Sequence, residues 1–161
     1  MPSVNRPYFW TSIVCGVCAF GIDRLQKYLQ IDLGGWHGGE QVPVTPFLDY
    51  VLVWNTGVSY GLLAGLPVMA LAAIAAVAML GLGTWWWTTR EPLVRIGLAI
   101  CLGGALSNAL DRLLYGAVAD FFHLHWQGWS FYVFNLADAA ITLGVLLLVI
   151  DLVRVRRPAT D

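Results

Sequence analysis

The chain has 161 residues, of which 58% are hydrophobic and only 12% are charged, and its formal net charge is −1. A soluble domain carries about 25% charged residues, so this composition excludes an ordinary water-soluble protein. The near-neutral charge argues against a nucleic-acid partner, and the length leaves room for a single domain over residues 1–161.

Four apolar segments approach or reach the length of a transmembrane helix, which needs about 20 mostly apolar residues. We predict these helices at about residues 8–29, 66–87, 93–114 and 134–153. The first is weaker, because its uninterrupted apolar part stops at Asp23. A cleaved signal peptide with Arg6 as its charged end is the alternative for this segment. Its later polar residues fall at helical spacing, which favours a helix that stays in the protein.

The basic residues indicate how the chain crosses the membrane, because cytoplasmic loops carry an excess of lysine and arginine. With both termini in the cytoplasm, six of the nine basic residues lie inside, namely Arg6, Arg90, Arg95, Arg154, Arg156 and Arg157. Acidic residues concentrate toward the other side. We therefore predict a multi-pass protein with cytoplasmic N and C termini.

The two outer segments have different patterns. The first, at about residues 40–65, is rich in β-branched and aromatic residues and contains the turn signal Asn55-Thr56-Gly57, which predicts a small β-sheet or hairpin. The second, at about residues 115–133, is aromatic and predicts a stretch that lies at the membrane interface. The predicted fold class is an all-α membrane protein with four transmembrane helices, a small extracytoplasmic β-segment, and an interfacial segment between helices 3 and 4.

Polar side chains occur within the predicted helices, where an ionisable residue costs about 3 kcal/mol to insert and usually marks function. They share single helix faces: Asn108, Asp111, Arg112 and Tyr115 in the third helix, Asn135, Asp138 and Thr142 in the fourth, Asp23 and Lys27 in the first. Asp120 follows just beyond the third helix. We expect all of these side chains to lie near the outer leaflet, around one water-filled pocket.

Two interpretations of these residues stay open. Asp23 or Asp111 paired with Arg112 would hold the helices together as buried ion pairs. Asp120 and Asp138 would instead share a proton, because two carboxylates in a low-dielectric site cannot both ionise easily. An aspartic peptidase uses such a pair as general base and general acid. Paired carboxylates also suit a proton-coupled transporter, and amphipathic outer segments also suit a non-catalytic scaffold.

Three stretches carry a more specific pattern: residues 103–112, which end in Asn108, Asp111 and Arg112, residues 118–121 with Asp120, and residues 134–144 with Asn135 and Asp138. Together they resemble the lipoprotein signal peptidase (signal peptidase II) family. Residues 23–27 and 55–57 are weaker matches to it. The chain departs from the family pattern at Ser107, where glycine is usual, and at residues 58–60.

The resemblance implies an aspartic endopeptidase of the bacterial cytoplasmic (inner) membrane, which cuts diacylglyceryl-modified prolipoproteins just before the lipidated cysteine. The roles it implies are catalytic for Asp120 and Asp138, substrate-binding for Asn55, Asn108, Arg112 and Asn135, and supporting for Asp23, Lys27, Gly57 and Asp111. The expected partners are the prolipoprotein and membrane lipid, with no nucleic acid and no obligate protein partner, so the enzyme is expected to be a monomer. No cofactor or metal is implied, and His123-Leu124-His125 has no third ligand nearby in sequence.

Overall fold

The computed structural model describes residues 8–57 and 68–155, and within them it is rich in helix with one small antiparallel sheet. In chain order the elements are α1 (Phe9–Lys27), a π-helical turn (Tyr28–Leu33), β1 (Gln41–Thr45), β2 (Leu48–Asn55), α2 (Val68–Thr88), α3 (Pro92–Tyr115), β3 (Val118–Trp126), β4 (Trp129–Ser130) and α4 (Leu136–Val155). The predicted β-segment therefore begins as expected, while its part at residues 58–65 lies outside the described residues.

The helix α3 is central, because it packs against α1, α2 and α4. Glycines permit the close approach: a Cβ added at Gly97 would lie 2.8 Å from the carbonyl oxygen of Gly144, and one added at Gly104 would lie 2.5 Å from that of Ala137. Small residues at helix contacts are typical of membrane proteins, where close packing substitutes for a hydrophobic driving force. The Gly104 contact fixes α3 against the first turn of α4, which carries Asp138.

Two of the described helices are long and apolar enough to cross a membrane by length and composition, Pro92–Tyr115 and Leu136–Arg154. The apolar stretch Ala72–Thr88 of α2 is shorter than that measure requires. The helix α1 ends in a charged turn and also falls outside the measure. The helical fold is thus as predicted, and the number of membrane crossings stays a prediction.

The sheet joins the two outer segments, in the strand order β1-β2-β3-β4. Residues 118–126, predicted to be a separate interfacial stretch, form β3 and pair with β2. The shared interior of the sheet contains the fully buried side chains of Leu52, Ala119 and Phe121. The aromatic pattern of this segment is therefore partly that of a strand with one buried face, and its pairing with β2 was not predicted from the sequence.

Candidate active site

Asp120 lies in β3 and Asp138 lies in the first turn of α4, so the two acids come from different kinds of secondary structure. Both line one cavity of about 270 Å³. Asn55, Asn108 and Arg112 line the same cavity, beside apolar side chains such as Ile141. The structure therefore brings together five of the six residues expected to be catalytic or substrate-binding. The sixth, Asn135, is fully buried and hydrogen-bonds to both acids.

Asn135 and Asp138 form the cap at the start of α4. The Asp138 backbone N–H donates to Asn135 Oδ1 at 2.9 Å, and the Asn135 N–H donates to Asp138 Oδ2 at 3.4 Å. This reciprocal arrangement is a capping box, in which the cap residue and the third helical residue satisfy each other's backbone donors. The segment that carries Asp138 is therefore a helix start signal, and the cap fixes the orientation of the Asp138 carboxylate.

Asp120 is held by two side-chain amides. Asn135 Nδ2 donates to Asp120 Oδ1 at 2.6 Å, and Asn55 Nδ2 donates to Asp120 Oδ2 at 3.0 Å. The register of β2 and β3 explains the second bond, because Asn55 pairs with Val118, two residues before Asp120 on its strand. Asp120 is thus fixed from the sheet side and from α4 together.

The Asp120 carboxyl group is poised to exchange a proton near neutral pH. Burial and the Asp138 carboxylate raise the pKa of Asp120 to about 7, against the hydrogen bonds from Asn55 and Asn135, which lower it. A general acid or base is most effective when its pKa lies near the working pH. The geometry and the electrostatics of the cavity therefore both suit proton transfer.

Asn108 connects the acids to the neighbouring charged residues. Its Nδ2 donates to Asp138 Oδ1 at 2.9 Å, while its Oδ1 accepts from Asn135 Nδ2 at 3.1 Å and from Lys27 Nζ at 3.3 Å. Its fixed orientation follows from these three contacts, because the amide oxygen faces donors and the amide nitrogen faces a carboxylate.

Arg112 ties α3 to the end of β2. Its Nη2 donates to the Gly57 carbonyl oxygen at 3.0 Å, and the Gly57 N–H donates to Asn55 Oδ1 at 3.0 Å. The expected supporting residue Gly57 thus lies between two of the expected substrate-binding residues. The rest of the turn that follows, from residue 58 onward, lies outside the described residues.

The ion pairs differ from the alternative drawn from sequence, which joined Asp23 or Asp111 to Arg112. Lys27 Nζ instead lies 2.8 Å from Asp23 Oδ2 and 2.6 Å from Asp111 Oδ2. Arg24 also contacts Asp111. Asp23, Lys27 and Asp111 are buried, so this cluster is a structural neighbour of the cavity on the side of α1. Sequence reasoning missed Arg24, although it lies three residues from Lys27 on a helix.

Three further residues refine the predicted pattern. Tyr115 is exposed and its ring packs against Trp54, so the inward-facing stripe of α3 ends at Arg112. Thr142 lines the cavity and donates to the Asp138 backbone carbonyl at 2.8 Å. Ser107 is fully buried and donates to Asp23 Oδ2 at 2.6 Å. Its position four residues before Asp111 places Ser107 on the same side of α3 as that acid, but does not by itself predict the contact with Asp23.

Among the residues that the structure describes, no cluster of three or more His, Cys, Asp or Glu side chains is arranged to hold a metal ion. His123 and His125 both face Asp49, at 3.5 Å and 3.2 Å, on the outer sheet. The two acids of the cavity instead accept hydrogen bonds from the side-chain amides of Asn55, Asn108 and Asn135.

Comparisons with known proteins agree with this chemistry. The model of the signal peptidase (SPase) II family matches residues 15–154. The chain is 49% identical to a lipoprotein signal peptidase of Methylorubrum extorquens, over 73% of this chain and 72% of that protein. It is 46% identical to the one of Nitrobacter hamburgensis, over 88% and 90% of the two chains. A solved bacterial membrane enzyme superimposes with a TM-score of 0.83 at 26% identity, over 96% of both chains.

The family match covers most of the chain, and the relatives and the solved enzyme align along nearly the same length. The chain therefore belongs to the signal peptidase II family and is an aspartic endopeptidase of that type.

Proposed function

We propose that this peptidase removes the signal peptide from diacylglyceryl-modified prolipoproteins, by hydrolysis of the peptide bond just before the lipidated cysteine. One observation carries the mechanism: Asp120 and Asp138 line a single cavity together with the side chains of Asn55, Asn108 and Arg112. The relatives are named lipoprotein signal peptidases, which supports a prolipoprotein as the substrate.

In the proposed reaction, the two aspartates share one proton. The ionised carboxylate removes a proton from a water molecule, which attacks the scissile carbonyl carbon, while the protonated carboxyl donates a hydrogen bond to the carbonyl oxygen. The tetrahedral intermediate then collapses with cleavage of the C–N bond, and the leaving amine takes the proton that the carboxylate had removed from water, which regenerates the singly protonated pair. We assign the base to Asp138, because the first turn of a helix favours a negative charge, and the acid to Asp120. The titration itself belongs to the pair.

Asn55, Asn108 and Arg112 are proposed to hold the substrate in register with the acids, whereas Asn135, which is fully buried, acts through its hydrogen bonds to Asp120 and Asp138. A peptide that enters the membrane needs partners for its backbone polar groups, because lipid supplies none. The Arg112 guanidinium has five N–H donors, more than its contacts to Gly57 and Asn108 carbonyl oxygens use. The three asparagines also hydrogen-bond to Asp120 or Asp138, so the acids are oriented by amides that belong to the proposed site.

We infer that all four helices cross the bacterial cytoplasmic membrane, with both termini inside and the sheet at the outer face, as a single domain. Several observations support this arrangement. α1 packs against α3 and contributes the buried Asp23 and Lys27, which favours a permanent helix over a cleaved signal peptide. Trp85, Trp86 and Trp87 end α2 with the aromatic anchors typical of a membrane interface. The proposed enzyme acts as a monomer whose only partners are the substrate and membrane lipid.

The substrate proposal is tested with purified protein in detergent and lipid. We expect a diacylglyceryl-modified prolipoprotein to be cut immediately before the lipidated cysteine, as read by mass spectrometry of both products. The matched control is the same precursor with that cysteine replaced by serine, which should stay intact. A folded enzyme that leaves the lipidated precursor uncut, or that cuts both precursors equally, would contradict the proposed substrate class.

The pH dependence of the reaction follows from Asp120. Because the pKa of Asp120 is raised to about 7, the group carries its proton below that pH and loses it above. Ionisation removes the acid that polarises the carbonyl and places two negative charges in one cavity. We expect kcat/KM, which reports the ionisations of the free enzyme, to fall above about pH 7 with a slope that approaches about tenfold per pH unit. The measurement is kcat/KM at substrate concentrations well below KM and constant ionic strength, with thermal melts to show that the fold persists; a value that rises through pH 8 would contradict this assignment.

A further inference from the structure

The first turn of α4 is held from outside by α1. The Ala137 backbone N–H donates to Asp23 Oδ1 at 2.9 Å. The first N–H groups of a helix have no partner within the helix, so each needs an acceptor from elsewhere. The capping box satisfies the N–H of Asp138, and Asp23 satisfies that of the residue just before it. The backbone on which Asp138 stands is therefore fixed partly by an acid on a different helix.

Asp23 is itself fully buried, and its other oxygen has two donors. Lys27 Nζ lies 2.8 Å from Asp23 Oδ2, and Ser107 Oγ donates to the same oxygen at 2.6 Å. Lys27 divides its donors between Asp23, Asp111 and Asn108. The Ser107 hydroxyl has a single hydrogen, and it points at Asp23. Ser107 is thus the side chain of α3 that is dedicated to this carboxylate.

We propose that Ser107 is a positioning residue for the reaction: through Asp23 it holds the first turn of α4, and with it the Asp138 carboxylate, in place beside Asp120. A buried carboxylate that loses one donor moves toward the cations that remain, here Lys27 and Arg24 on its own helix, and its bond to Ala137 weakens. Catalysis depends on placement of reacting groups to well under 1 Å, so a small shift of this turn lowers the rate. The inference rests on the proposed role of Asp138.

Ser107→Ala should lower kcat about tenfold and leave KM unchanged, because the substituted side chain offers no donor and excludes water. Ser107→Gly should lose only about two- to threefold, because it leaves room for one water molecule to replace the hydroxyl. Kinetics are measured on the lipidated precursor, and thermal unfolding is measured on each variant in the same detergent.

The matched control is Ser12→Ala, the same chemical change at an equally buried serine. Ser12 lies near the start of α1, at the other end of that helix from Asp23. The Ser12 hydroxyl donates to the Phe9 carbonyl at 2.7 Å and accepts from Trp86 Nε1 at 3.1 Å, so its loss also costs hydrogen bonds. This variant should lose thermal stability while keeping the wild-type kcat. A rate loss confined to position 107 separates positioning from general destabilisation.

Several results would overturn the proposal: a Ser107→Ala kcat within about twofold of wild type, an equal loss in Ser12→Ala, or a raised KM with unchanged kcat. A glycine variant slower than the alanine variant would also overturn it. Should the alanine variant fail to fold, the glycine variant decides by the same comparison with Ser12→Ala. Failure of the proposed function is distinguishable, because it would appear as an inert wild type or an active Asp138→Asn variant.

Discussion

Asp120→Asn and Asp138→Asn should each abolish cleavage of the lipidated precursor, with kcat reduced by at least about a thousandfold. Asparagine matches the shape of aspartate but can neither take a proton from water nor give one to the carbonyl. At position 120 it also places an amide nitrogen against the donor Nδ2 of Asn55 or Asn135. The measurement is single-turnover cleavage, which detects slow residual rates.

The stability of the Asp120 variant provides a check that the loss is chemical. Burial and the neighbouring carboxylate raise the pKa of Asp120 from 3.8 to about 7, so the folded protein binds a proton that the unfolded chain releases. The cost of ionising Asp120 is therefore absent below about pH 4 and fully present above about pH 7. Asparagine removes that cost. The Tm of Asp120→Asn relative to wild type should increase as the pH is raised from about 5 to about 8.

Asp49→Asn is the matched control for both acid variants. Asp49 lies on β2 in the outer sheet, where it accepts from Gln41 Nε2 at 2.7 Å and faces the two histidines of β3. This substitution removes one carboxylate from the same face of the protein without touching the cavity, so it should keep the wild-type kcat. A folded Asp120→Asn or Asp138→Asn variant with the rate of this control would show that the reaction does not use an aspartate pair.

Lys27→Met should destabilise the protein by about 3–5 kcal/mol, the usual cost of removing one partner from a buried ion pair. Lys27 is the only lysine in the sequence and is 2% exposed. Asp23, Arg24, Lys27 and Asp111 have formal charges that sum to zero, so this substitution leaves a net negative charge buried between α1 and α3. Thermal unfolding in detergent, followed by tryptophan fluorescence, measures the loss.

A double variant tests whether charge balance is the cause. Lys27→Met combined with Asp111→Asn returns the cluster to zero net charge and should be more stable than Lys27→Met alone. Arg90→Met serves as the control, because Arg90 is exposed and its loss should change stability by less than about 0.5 kcal/mol. Equal stability of Lys27→Met and Arg90→Met would mean that the cluster does not hold the helices together.

Sequence spacing predicts which residues share a helix face, but not which residue on a neighbouring helix they meet. It correctly groups Asn108 with Arg112, and Asp23 with Lys27, since residues four apart on a helix lie on one face. The partner of Asp111 depends on how α1 rotates against α3, which no repeat within either helix determines. That rotation selects Arg24 and Lys27 over Arg112.

The pairing of β3 with β2 could not be predicted from the sequence, for a related reason. An aromatic segment between two apolar helices has the composition of a membrane interface and of a half-buried strand alike. The distinction depends on pairing with β2, more than 60 residues earlier in the chain, where Asn55 lies opposite Val118. The contact between Asp120 and Asn55 follows from that register. The resemblance to the family names both residues, but only the pairing of the strands explains why they meet.

The capping box has a consequence for how such a chain can change over evolutionary time. A residue at position 138 that cannot accept a hydrogen bond weakens the start of α4. Such substitutions are therefore selected against because they impair folding, even in a lineage that no longer needs the proteolysis. Asp120 has no equivalent protection, because its bonds within the described residues come from side-chain amides. Lineages released from selection for activity should therefore lose the strand aspartate first. Inactive descendants would carry a substitution at position 120 and would still have the capping box of Asn135 and Asp138.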